Sequence, residues 1–116
     1  MTIARQILGK AGEQTEVQEL ERRGYAILER RYRTARGEID IVAQDGDTIV
    51  FVEVKVRERP ECGSAVDAVT PQKQRKLAYM AADYLARRRL TEQFCRFDVV
   101  AIDDDVVTVY QDAFSV

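Results

Sequence analysis

The stretch TIVFVEVKVR (Thr48–Arg57) decides the fold, because its residues alternate with the period of a β-strand. Successive side chains point to opposite faces of a strand, so the four valines form one face that suits packing beneath a helix. The other face carries, in order, Ile49, Phe51, Glu53, Lys55 and Arg57. Glu53 and Lys55 are therefore neighbours on one side of a strand that otherwise has the composition of a core strand.

The turn before this strand brings more acidic residues to the same face. Asp-Gly at 45–46 is a strong signal for a two-residue hairpin loop. With that loop, Asp40 lies opposite Phe51 and Glu38 lies opposite Glu53, and cross-strand partners share a face. The sequence therefore predicts three carboxylates and a lysine gathered on one face of one hairpin.

Carboxylates gathered in this way repel one another unless positive charge lies among them. Asp40 and Glu53 can supply oxygens to a divalent cation, and Lys55 can orient or deprotonate a water or stabilise charge on a phosphate. A surface cross-strand ion pair, Glu53–Lys55 or Asp40–Lys55, is the alternative. The apolar run around the charges and the alignment of Asp40 favour the functional interpretation.

The chain has no histidine, and this excludes several kinds of chemistry. Nucleophile systems that need a histidine base are ruled out, as are zinc sites with histidine ligands. The two cysteines, Cys62 and Cys95, are far apart and are expected to be free thiols. Any metal must be held by oxygen ligands, which favours magnesium or manganese.

The order of the remaining elements predicts an α/β fold, α-β-β-β-α-β-β, with a mixed central sheet of about five strands flanked by helices. The chain of 116 residues is expected to form a single domain over 1–116. The predicted helices cover residues 3–23 and 71–88, and the predicted strands cover residues 25–33, 37–44, 48–57, 96–103 and 106–112.

Composition indicates a soluble globular protein, with 46% hydrophobic and 33% charged residues. The sequence has no long apolar run and no signal-peptide pattern, so we expect a cytoplasmic protein without a membrane partner. The net charge is −2, yet arginines and lysines are concentrated in residues 22–36 and 73–89. Basic segments of this kind either contact phosphates or form an ordinary solvated surface.

Six pieces of the sequence together resemble a known family. They are GEQ at 12–14, GYAIL at 24–28, GEIDIVA at 37–43, VFVEVKVR at 50–57, PQKQRKLAYMAADYL at 71–85 and RFDVVAI at 96–102. The pattern resembles the PD-(D/E)XK nuclease superfamily. It is more closely similar to the YraN-like family of small bacterial proteins, which resemble archaeal Holliday junction resolvases. The resemblance implies a restriction-endonuclease-like core.

The resemblance implies a metal-dependent endonuclease that hydrolyses DNA phosphodiester bonds, with branched or structured DNA in repair or recombination as one substrate class. By this analogy Asp40 and Glu53 hold Mg²⁺ or Mn²⁺, and Lys55 assists the attacking water. Glu13 would reach the site from the first helix as an additional ligand. A solvated Glu13 is the alternative at that position.

The same resemblance indicates where DNA would bind. Lys73 and Arg75 stand at the start of the second helix, where a phosphate can be bound. Arg57 and the loop 58–69 flank the site and would touch the substrate. Lys73 as an ordinary surface charge is the alternative.

Two acidic residues stand outside this pattern. Where the family has an alanine and an aromatic residue in the first helix, this chain has Glu16 and Glu19. Glu16 lies on nearly the same helix face as Glu13, so either an extra carboxylate approaches the site or the helix packs differently. Asp98 is expected to form a structural ion pair with Arg96 or with an arginine of the first strand.

Three functions compete at this point. The first is the endonuclease, and the second is a non-catalytic nucleic-acid-binding accessory protein that retains the nuclease fold. A protein-interaction domain is the third, but it leaves Asp40, Glu53 and Lys55 unexplained. A homodimer is compatible with the first, since related resolvases act on symmetric junctions.

Overall fold

A computed structural model of the protein describes residues 15–57, 66, 68–104 and 106–115. Helix α1 is described over residues 15–22. The other elements are strands β1 (Ala26–Thr34), β2 (Gly37–Asp45) and β3 (Thr48–Arg57), helix α2 (Pro71–Arg87), and strands β4 (Phe94–Asp103) and β5 (Val106–Phe114). The predicted order α-β-β-β-α-β-β is confirmed.

The strands form one five-stranded mixed sheet in the order β1-β2-β3-β4-β5. β3 and β4 are parallel, whereas the other neighbouring strands are antiparallel. A parallel pair needs a crossover connection, and α2 lies in the connection between these two strands. The predicted α/β fold is thereby confirmed. Within the described part of the chain, no helix combines the length and the apolar character needed to cross a bilayer.

The central strand β3 is buried on both faces, and each face has its own core. On one face Val52 belongs to the same cluster as Leu20 of α1. On the other face Phe51 belongs to the same cluster as Leu77 of α2. The alternation predicted for this strand is confirmed, although Val56 near its end is 71% exposed.

The loop between β2 and β3 lies one residue later than predicted. Asp45 pairs with Thr48, so the loop consists of Gly46 and Asp47. Gly46 has a φ of 63°. A glycine with positive φ at the first loop position is what a type II′ turn requires, and this preference outweighs the expectation that Asp-Gly occupies both loop positions.

The later loop changes which residues face one another across the hairpin. The predicted pairing of Asp40 with Phe51 is wrong, because Val42 pairs with Phe51. The predicted pairing of Glu38 with Glu53 is wrong for the same reason. A shift of two residues leaves every side chain on its expected face. The observed pairing ends at Ile41 and Val52, and Asp40 and Glu53 are the next residues on their two strands.

The ends of the two helices follow the capping signals in the sequence. Gly24, just beyond α1, has a φ of 94°, which an L side chain rarely adopts. At the start of α2, the Thr70 hydroxyl accepts a hydrogen bond from the backbone N–H of Lys73 at 3.2 Å, and Pro71 is the first helical residue. The cap directs the first turn of α2, which carries Lys73, towards the end of β3.

Asp98 of β4 is fully buried and belongs to a structural network. Its Oδ1 accepts hydrogen bonds from Arg96 Nε at 3.0 Å and from the backbone N–H of Asp112 at 2.9 Å. Its Oδ2 accepts one from the Tyr25 hydroxyl at 2.9 Å. Asp112 has a φ of 51° and lies where the β4–β5 pairing is irregular. The predicted ion pair with Arg96 is confirmed, and Asp98 also stabilises this irregularity.

Candidate active site

Strand β3 carries Glu53 into the interior beneath the start of α2. Glu53 is only 6% exposed. An isolated buried carboxylate is costly, so a buried glutamate needs positive partners or hydrogen-bond donors. Two lysines supply them. Lys73 Nζ lies 2.5 Å from Glu53 Oε1, and Lys55 Nζ lies 3.6 Å from the same oxygen.

The position of Lys73 in its helix runs against the helix dipole. It is the third residue of α2, close to the positive end of the helix, where acidic residues are favoured. The first turn of α2 contains no acidic residue. The attraction of Glu53, rather than the helix itself, therefore accounts for the placement of Lys73.

The two lysines differ in how readily they lose a proton. The pKa of Lys55 is lowered, chiefly because Lys73 lies within hydrogen-bonding reach and secondly because Lys55 is partly buried. Burial acts to lower the pKa of Lys73 as well, but Glu53, Lys55 and the charge of Asp40 together outweigh it, so the pKa of Lys73 is raised. Lys73 is thus held as the cation that neutralises Glu53, while Lys55 is the lysine better suited to exchange a proton.

Asp40 lies beside this cluster, at the point where β2 and β3 stop pairing. Its Oδ2 accepts a hydrogen bond from the backbone N–H of Val54 at 2.8 Å, which replaces a missing ladder bond. Burial raises the pKa of Asp40 to about 6, and the nearby Glu53 and Glu38 act in the same direction. A divalent cation or a bound proton would offset the unfavourable negative charge of the buried Asp40 carboxylate.

A cavity of about 170 Å³ opens between the β2–β3 hairpin and α2. Its walls combine acidic, basic and apolar side chains: Glu38, Asp40, Glu53, Lys73, Lys76, Leu77 and Met80. Glu38 is exposed at the rim, and its carboxylate lies 3.3 Å from Arg33 Nε. The cavity thus has carboxylates on one wall and lysines on the other.

Several of the predicted site residues come together here, and others do not. Asp40, Glu53, Lys55 and Lys73 form one cluster. Arg75 is exposed on α2. Other predicted positions fall outside the described residues: Glu13, most of the loop 58–69, and the side chain of Arg57, whose backbone ends β3.

Glu16 lies on the other side of the sheet from α2 and is 5% exposed. Its pKa is raised to about 7, first by burial and then by the charge of Asp40, with Arg30 acting against both. Glu16 is thus coupled to the site through the charge of Asp40 but lies on the opposite face of the sheet, and both alternatives for its role stay predictions. The direct contact between Lys73 and Glu53 was not predicted from the sequence. A lysine at the start of a helix, where acidic residues are favoured, was the signal that indicated an acidic partner.

The carboxylate oxygens at this site are of the chemical type that a hard divalent cation such as Mg²⁺ prefers. Asp40 and Glu53 provide carboxylate oxygens, and Mg²⁺ is commonly bound by one or two carboxylates together with waters and substrate phosphates. Within the described residues, no group of three or more acidic or cysteine side chains is arranged to hold a metal. A third acidic ligand would therefore have to lie outside the described residues, where the sequence has Glu13, while a backbone carbonyl oxygen is a further donor that Mg²⁺ accepts.

A protein-family model and individual relatives indicate the same family. Residues 12–102 match the uncharacterised protein family UPF0102. A UPF0102 protein of Herminiimonas arsenicoxydans is 48% identical over 100 residues, which cover 86% of this chain and 80% of the relative. A UPF0102 protein of Syntrophus aciditrophicus is 51% identical over 94 residues, which cover 81% of this chain and 74% of the relative. The similarity to YraN-like proteins predicted from the sequence is confirmed.

Proposed function

The chain belongs to the uncharacterised protein family UPF0102, and we propose that it is a metal-dependent endonuclease that hydrolyses DNA phosphodiester bonds. Branched or structured DNA, as formed in repair or recombination, is the proposed substrate class. Mg²⁺ or Mn²⁺ is the proposed cofactor. The expected cytoplasmic location and the homodimer stay predictions.

The observation that carries this proposal is the charge cluster around Glu53. The buried Glu53, the half-buried Asp40 and Lys73 line one cavity, and Lys55 contacts Glu53 beside it. A surface ion pair, the alternative for these residues, needs neither burial nor a raised carboxyl pKa. Clusters of perturbed titratable groups in a cleft are typical of functional sites.

Each residue has a distinct part in this proposal. Asp40 and Glu53 would hold the cation, which supplies positive charge to the scissile phosphate when bound. Lys55, the lysine with the lowered pKa, orients the attacking water and accepts its proton. Lys73 stabilises negative charge that develops on the phosphate oxygens. Glu13 as a further ligand, and Arg57 and Arg75 as DNA contacts, remain part of the proposal.

A second function is favoured by one specific contact. The Lys73 ammonium lies 2.5 Å from Glu53 Oε1 and neutralises this carboxylate. A site that is satisfied in this way suits a non-catalytic accessory protein, which binds nucleic acid through its basic surface and keeps the nuclease fold. The two functions differ in whether Glu53 exchanges Lys73 for a metal ion.

Cleavage of a panel of DNAs separates these functions. Linear, flapped and four-way DNA are incubated with the protein in Mg²⁺ or Mn²⁺, with EDTA as the metal-free control. We expect metal-dependent cutting of at least one branched DNA, abolished in Asp40→Asn and retained in Arg22→Ala, which alters an exposed α1 arginine paired with Glu19. Binding of structured DNA without any cutting would favour the accessory function instead.

A further inference from the structure

An exposed aromatic ring lies next to the cavity. Tyr79 of α2 is 49% exposed. The guanidinium carbon of Arg36, from the turn between β1 and β2, lies 4.3 Å from the centre of its ring. This distance is that of a cation–π contact, so the two side chains present a flat, positively charged surface.

The Tyr79 ring is placed by residues that also form the cavity. Lys76 precedes it by almost one helical turn and Met80 follows it directly, and both line the cavity. The Lys76 side chain lies against Gly37, where a Cβ atom would come within 2.9 Å of Lys76 Cε. Gly37 has a φ of 142°, so the turn that carries Arg36 can approach α2 closely.

Two cations lie beside the ring, at the edge of a cavity whose lining holds three carboxylates and two lysines. Arg36 and Lys76 flank the ring, and the Glu38 carboxylate at the cavity rim is paired with Arg33. Positive charge beside a cleft attracts the phosphates of a nucleic-acid strand. A strand whose phosphate enters the cavity would therefore pass over the Tyr79 ring within one or two nucleotides, since a helical turn is only 5.4 Å long.

We propose that Tyr79 and Arg36 form a stacking surface for an unpaired base of the substrate. A base inside a duplex has both faces covered by its neighbours, whereas an unpaired base can stack on an aromatic ring or on a guanidinium plane. This inference rests on the proposed DNA-cleaving function of the cavity. It specifies the substrate class as DNA with a single-stranded segment next to the scissile phosphate.

Binding without cleavage tests the stacking surface. The probe is a fluorescein-labelled single-stranded oligonucleotide of about 12 nucleotides, compared with a blunt duplex of the same sequence, in EDTA, by fluorescence anisotropy. Stacking of one base contributes ~1–3 kcal/mol, so Tyr79→Ala is expected to weaken single-strand binding about 5- to 150-fold. Tyr79→Phe keeps the ring and is expected to stay within about twofold of the wild type.

A control and a salt series separate stacking from general effects. Phe94→Ala removes another exposed aromatic residue, 71% exposed, at the far end of the sheet from the cavity. Lys76→Gln is expected to reduce the slope of log affinity against log salt by about 0.7, because it removes one phosphate contact to a single strand. Tyr79→Ala is expected to leave that slope unchanged. Thermal unfolding confirms that each variant is folded.

Three outcomes would overturn the inference. They are equal binding by Tyr79→Ala and Phe94→Ala, equal affinity of the wild type for the single strand and the duplex, and no binding of the single strand by the wild type. Because the assay contains no divalent metal, failure of cleavage leaves it unaffected. Loss of binding in Tyr79→Ala together with an absence of cutting would support the stacking surface while refuting the nuclease.

Discussion

Replacing Asp40 with asparagine is expected to stabilise the metal-free protein at high pH and not at low pH. Burial raises the pKa of Asp40 from its ordinary 3.8 to about 6, with Glu53 and Glu38 adding to the effect. The ionised form of the Asp40 carboxylate is therefore less favourable in the folded protein than in the unfolded chain. Asparagine cannot ionise, yet its side-chain oxygen can still accept the hydrogen bond from the backbone N–H of Val54.

The sign of the pH dependence follows from proton binding. Between about pH 4 and pH 6 the folded protein holds the Asp40 proton and the unfolded chain does not, so stability falls as pH rises through this window. A pKa that rises from 3.8 to about 6 corresponds to ~3 kcal/mol at most. Residual solvent contact reduces this, so we expect Asp40→Asn to gain ~1–3 kcal/mol above pH 7.

Other charged groups lie near Asp40 and act on its pKa. Glu53 and Glu38 lie on the hairpin, Lys73 on α2, and Glu16, whose pKa is raised to about 7, on α1. All of them remain in the variant. The difference between variant and wild type at each pH therefore isolates the contribution of Asp40 and its coupling to these groups.

Urea unfolding followed by far-UV circular dichroism measures this difference, since the chain has no tryptophan for fluorescence. The free energy of unfolding is compared in EDTA near pH 4.5 and near pH 8. Asp47→Asn, an exposed position in the β2–β3 loop, is the matched control and should change stability by less than ~0.5 kcal/mol. A gain that is equal at both pH values, or a loss at pH 8, would refute the reasoning.

Three further predictions follow from single contacts. Asp98→Asn is expected to cost ~1–3 kcal/mol in urea unfolding, because Arg96 loses its buried counter-ion but keeps its ion pair with Asp45; a cost below ~0.5 kcal/mol would contradict the network. Gly46→Ala is expected to cost ~1–2 kcal/mol by the same measurement, since its φ of 63° is strained for alanine while space for the methyl group is open; an unchanged midpoint would speak against the type II′ turn. Lys73→Gln is expected to raise the affinity for Mn²⁺ in calorimetric titration, because Glu53 loses its competing cation; unchanged or weaker binding would argue that Glu53 is not a ligand.

The faces of β3 could be predicted from sequence because they depend on local alternation alone. Val52 and Phe51 lie on opposite sides in two separate cores, as their spacing indicates. Alternation likewise places Glu53 and Lys55 on one side of the strand. The register across the hairpin depends on backbone geometry at Gly46, and the sequence does not distinguish a loop at 45–46 from one at 46–47.

The contact between Lys73 and Glu53 could not be derived in the same way. The two residues belong to different elements, and their approach depends on how α2 packs over the sheet. From the sequence, Lys73 was expected only to contact a phosphate at the start of α2. The ion pair of Asp98 with Arg96 could be predicted, because Arg96 is two residues away on the same face of the strand.

Single-turnover cleavage by Lys55 variants tests the central claim most directly. The substrate is the branched DNA that the wild type cuts best in Mg²⁺, and Lys55→Ala and Lys55→Arg are compared with Arg22→Ala. Positioned acid–base groups contribute about 10²- to 10⁴-fold to rate, so both Lys55 variants are expected to lose at least ~100-fold while Arg22→Ala keeps the wild-type rate. Cleavage by Lys55→Ala at the wild-type rate would contradict the proposed site.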